Sequence, residues 1–93
     1  MPSEVDNTLS ERGKRYGDFL DNAVTSQRVK AAIFYDDVQV ANLPPMHREA
    51  LTMIAQKIAR ILNGDPNYAD NWHDIQGYAK LVEERLPKVS SSD

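Results

Sequence analysis

Apolar positions recur at steps of three and four residues in three stretches of the chain, the spacing that lines one face of an α-helix. The first stretch starts at Asp18, where Phe19, Ala23, Ser26, Val29 and Ile33 share one stripe. The second runs from Pro45 to Asn63. Its stripe is Leu51, Ile54, Ile58 and Ile61/Leu62, supported by Met46, Ala50 and Ala55. Pro45 suits the first helical turn, and Asn63-Gly64 followed by Pro66 predicts its end, with Gly64 left-handed. The third runs from Asn71 to about Leu86 behind Asp70 as N-cap, with Trp72, Ile75, Ala79, Val82 and Leu86 as its seam and Pro87 as its stop. A further short helix is expected before Gly13, opened by Ser3 and Asp6. The β-branched stretch across residues 35–44 reads as a loop or a short extended segment.

These elements predict an all-α protein, a small bundle of three or four helices that ends in an antiparallel helix hairpin. Residues 1–86 form the expected single domain and 87–93 a flexible tail. A 93-residue chain has a thin core. Tyr68, Trp72, Tyr78 and Met53 offer it more apolar surface than it hides, so a homo-oligomer built by helix packing is expected.

Composition narrows the chemistry. With no cysteine, the chain holds no disulfide, thiolate metal site or thiol nucleophile. A net charge of −3 argues against a general grip on long nucleic acid. No apolar run approaches the roughly 20 residues of a membrane span, and no signal peptide pattern follows the first methionine, so the cytoplasm is the expected location.

Two constellations remain. In the final hairpin, Lys57 and Arg60 lie off the apolar stripe, and Asp70, Asp74 and Tyr78 share a face at four-residue steps. Such a groove offers phosphate donors in Lys57 and Arg60, stacking surfaces in Tyr68, Trp72 or Tyr78, and carboxylates suited to magnesium in Asp70 and Asp74. The same residues also read as ion pairs that lock the hairpin, Arg60 with Asp74 and Lys57 with Asp70. The second constellation is the turn Arg12-Gly13-Lys14-Arg15-Tyr16-Gly17-Asp18, whose cations and glycines before a helix suit an anion, without a P-loop signature. His47 and His73 lack a histidine one helical turn away, so a helix zinc site is not expected.

The elements Arg15-Tyr16-Gly17-Asp18, Lys57-x-x-Arg60, Gly64-Asp65-Pro66 and Asp70-Asn71-Trp72-His73-Asp74 through Gly77-Tyr78 resemble a family of small bacteriophage proteins of undetermined function, over roughly residues 12–86. More distantly the chain resembles the all-α nucleoside triphosphate pyrophosphohydrolases of the MazG kind. These are oligomeric helix bundles that hold magnesium with two acidic pairs. Carried onto this chain, Asn71-x-x-Asp74 falls on the second pair and keeps one acid; the first pair falls on Glu49 with Thr52 or on Met53 with Gln56, so at most one acid survives there. The resemblance implies magnesium on Asp70, Asp74 and Glu49 if the chain is such an enzyme. Lys57 and Arg60 stand where that family gathers negative charge, which turns the implied site toward phosphate.

The leading expectation is a protein that binds a small nucleotide. Lys57, Arg60 and Arg15 would hold phosphate and Tyr16, Trp72 or Tyr78 would stack the base, without catalysis; it would withdraw a nucleotide signal of host immunity in an infected cell. The alternatives are a magnesium-dependent pyrophosphohydrolase and an inhibitor that binds a host protein.

Overall fold

The computed structural model describes residues 4–87, and the expected tail falls outside them at 88–93. The Ser3 cap also lies outside the described residues. Five helices follow in order: α1 (Glu4–Tyr16), α2 (Phe19–Ile33), α3 (Asp37–Ala41), α4 (Pro45–Asn63) and α5 (Ala69–Glu83). The described residues contain no strand, so the all-α expectation holds for them. None of the helices among them is long and apolar enough to cross a membrane.

The capping chemistry explains where several helices begin. Asp18 accepts from the backbone N–H of Leu20 at 3.0 Å and of Asp21 at 3.3 Å. Asp36 does the same for Val38 at 2.9 Å and Gln39 at 3.1 Å. That second cap makes α3 helical where a loop or extended stretch is expected, because capped donors offset the modest helix preference of valine. Gly13 does not stop α1, which runs on to Tyr16. The helix ends instead on Gly17, whose φ of 85° is left-handed and whose N–H reaches the Gly13 carbonyl at 2.8 Å. Gly64 is the converse: at φ −112° it is not left-handed, contrary to the expectation for the end of α4.

Helix α4 carries the packing. Helices α2 and α5 both rest along it and α1 meets it less extensively, whereas α2 and α5 make no comparable contact with each other. The three long helices therefore form an open layer centred on α4. The α4–α5 hairpin is antiparallel, since Lys57 and Asp74, each several residues from the connector, meet at 3.0 Å.

The seam of α5 is rotated from its expected position. Asn71 is fully buried against the layer, with Asp74, Ile75, Tyr78 and Val82 half-buried behind it, while Trp72 turns outward and Ala79 and Leu86 are exposed. The indole N–H of Trp72 donates to the Pro66 carbonyl at 2.8 Å, which holds the ring on the outer side of the connector. The only buried apolar residues among those described are Ala50, Ala55 and Ala59, all on α4, with Ser26, Lys57 and Asn71 as buried polar ones. Small side chains let α2 and α5 approach α4 closely, but they remove little apolar area from water.

Candidate functional site

The connector between α1 and α2 crosses the connector between α4 and α5, and glycine is what permits the crossing. A Cβ on Gly64 would lie 2.5 Å from the Arg15 carbonyl oxygen and 2.7 Å from the Gly17 nitrogen. A Cβ on Gly17 would lie 2.6 Å from the Asn63 carbonyl oxygen. Polar groups then stitch the two backbones. The Asp65 N–H donates to the Arg15 carbonyl at 3.1 Å. The Asn22 amide donates to the Tyr16 carbonyl at 2.6 Å, and the Asn63 amide donates to Asn22 Oδ1 at 3.2 Å and Thr25 Oγ1 at 3.0 Å.

This crossing brings the two sequence constellations together as one cluster. The Arg12 and Arg60 guanidinium carbons each lie 5.1 Å from the centroid of the Tyr16 ring. Tyr16 meets Tyr68 edge to face, with centroids 5.4 Å apart and planes at 80°. Arg15 lies 5.4 Å from the Tyr68 centroid and pairs with Glu11 at 2.8 Å. The electron-rich faces of the rings hold the cations in place at little cost in hydration. Tyr68 donates its hydroxyl to Asp70 at 2.8 Å. That bond, followed by the neighbouring Tyr16, favours the neutral phenol and pushes its pKa from 10.0 up to about 12.

Beside the cluster a groove of about 660 Å³ opens between α1, α2 and α4. Its walls include Arg12, Tyr16, Phe19, Lys30, Gln56 and Arg60. Three cations, Arg12, Lys30 and Arg60, face one acid, Asp18, and Asp18 is already engaged as the α2 cap. Among the described residues neither Arg12 nor Arg60 has an ion-pair partner.

The expected site residues separate into two groups. Arg15, Arg60 and Tyr16 are in the cluster. Lys57 is not: its side chain is 10% exposed and its ammonium is committed to Asp74. The hairpin ion pairs are thus exchanged relative to expectation. Lys57 takes Asp74, Asp70 takes the Tyr68 hydroxyl, and Arg60 takes an aromatic face. Trp72 borders a separate shallow depression with Pro66, His73 and Gln76, and Tyr78 lies two turns further along α5, outside the groove lining. Glu49, Asp70 and Asp74 are not gathered, and no group of three acids or histidines among the described residues is placed to hold a metal ion. With Asp74 on a buried ammonium and Asp70 on a phenol, this donor set does not fit the magnesium implied by the pyrophosphohydrolase resemblance.

The meeting of Arg12 with Arg60 around Tyr16 has no local signature, because the residues lie 48 positions apart in the chain. Asn71 also carried no warning. Its side chain is fully buried and neither amide atom has a hydrogen-bond partner, the kind of orphaned polar group that folded proteins rarely keep.

Residues 3–86 match the model of a family described as a domain of unknown function (DUF6378). No curated protein and no solved structure matches the chain.

Proposed function

The chain belongs to the DUF6378 family, and we propose that it binds a small phosphorylated ligand of the nucleotide class in the groove beside Tyr16. The observation that carries this reading is the pair of guanidinium groups on the Tyr16 ring, both lining the groove and neither paired with a carboxylate among the described residues. Guanidinium forks match phosphate oxygens in pairs, and stacking on an aromatic ring pre-orients them. Lys30, on α2, adds a third positive charge to the groove lining. The groove volume of about 660 Å³ falls within the usual ~300–1,000 Å³ of small-ligand sites. Phe19, which is 85% exposed and borders the groove, offers a flat apolar surface to a base.

Binding without turnover is the form this reading takes, since the acids needed to position magnesium on a triphosphate are engaged elsewhere. Such a protein would sequester its ligand rather than convert it. In the cytoplasm of an infected cell that would withdraw a nucleotide signal of host immunity. Calorimetric titration with a panel of mononucleotides and cyclic nucleotides, followed by chromatography of the recovered ligand, tests the reading. At least one member is expected to bind at micromolar or tighter affinity and return unchanged; binding by none would refute it.

A further inference from the structure

We propose that a second copy of this chain covers the outer apolar face of α2, pairing the two helices antiparallel in a homodimer. Helix α2 has two apolar faces. Ala23, Ser26, Val29 and Ile33 are half-buried or buried, on the packed side. Leu20, Val24 and Ala31 lie on the other face, interrupted by the exposed Gln27; Leu20 and Val24 are 68% and 44% exposed. A helix with apolar residues on opposite sides is one that is covered on both.

The surface area points the same way. The chain exposes 7280 Å², whereas a compact monomer of its 10.5 kDa mass exposes about 5,400 Å². The Cα radius of gyration is 16.6 Å, against about 12 Å for a compact chain of this length. An open layer with three buried alanines as its apolar core lacks the second layer that domains ordinarily have.

The charges flanking the stripe select a copy of the same chain. Asp21 and Arg28 are both exposed and lie seven residues apart, on the same side of the Leu20–Val24 stripe. In an antiparallel pair related by a two-fold axis, equivalent flanks face each other, so each Asp21 comes beside the partner's Arg28.

Sedimentation equilibrium of the full chain tests this, and it reads mass, so its outcome is separate from that of the nucleotide titration. The expected result is twice the 10.5 kDa chain mass at micromolar concentration. Leu20→Asp is expected to weaken association about 100-fold or more with unchanged helical circular dichroism, because a carboxylate would be buried at the contact. Asp21→Arg is expected to weaken association, and Asp21→Arg with Arg28→Asp to restore it. A wild-type monomer at micromolar concentration overturns the proposal, and so does a dimer that survives Leu20→Asp.

Discussion

The Arg60 guanidinium lies over the ring of Tyr16, 5.1 Å from its centroid, and so joins the end of α4 to the end of α1. Neither helix positions this contact alone. It exists because the two connectors touch backbone to backbone at Gly17 and Gly64. The candidate site therefore depends on the four residues that hold the crossing together: Gly17, Gly64, Asn22 and Asn63.

Those glycines give opposite outcomes from the other two. Gly17→Ala or Gly64→Ala is expected to destabilise the protein by about 2 kcal/mol or more, since each new methyl meets backbone and Gly17 is left-handed as well. Gly13→Ala and Gly77→Ala meet nothing within 4 Å and lie inside helices. Each should stabilise by about 0.5–1 kcal/mol. Thermal melts check the sign, at roughly 4–8 °C per kcal/mol for a domain of this size.

How much of this was legible in the sequence follows from the range of each interaction. The extent of helix α4 was readable because its prolines and its Asn-Gly end are local; its buried face was not, since Lys57 is buried and Leu62 is exposed. Gly13 misled because a single mid-helix glycine costs only about 1 kcal/mol, too little to stop α1. The seam of α5 slipped by one position because Trp72, its largest apolar residue, is drawn outward by the Pro66 carbonyl. Both halves of the candidate site were visible as Arg-Tyr-Gly and Lys-x-x-Arg. Their union was not, since it rests on a crossing of distant backbones that leaves only glycine as its trace.

The Lys57–Asp74 pair is asymmetric, with side-chain exposures of 10% and 42%. Asp74→Ala leaves an ammonium buried without a partner and is expected to cost about 1–2 kcal/mol, allowing for the water that reaches the acid. Lys57→Met keeps the packed stem and leaves a carboxylate that water can solvate, so it should cost less than about 1 kcal/mol. Urea midpoints at constant slope measure the difference; equal losses would show that burial of the lysine does not matter.

Tyr68 supplies a pH signature. Its folded pKa, about 12, lies above the ordinary 10.0. The hydrogen bond to Asp70 therefore contributes its full stabilisation below pH 10, and that contribution is lost as the pH rises through 12. Absorbance titration at the tyrosinate band should show one of the four tyrosines ionising late. Asp70→Ala should bring that step down toward 10, whereas a titration unchanged by the substitution would mean that Asp70 does not set it.

The most direct test of the central claim is calorimetric titration of the tightest-binding nucleotide into wild type, Arg12→Gln and Arg60→Gln, with melting temperature recorded for each. If the two guanidiniums hold the phosphate, each substitution should weaken binding at least about 10-fold, the loss of one charge-assisted contact, while the proteins stay folded. Unchanged affinity in both variants, accompanied by a lower melting temperature, would mean that Arg60 merely fastens α4 to α1 and that Arg12 merely braces Tyr16 within α1, and would contradict the account.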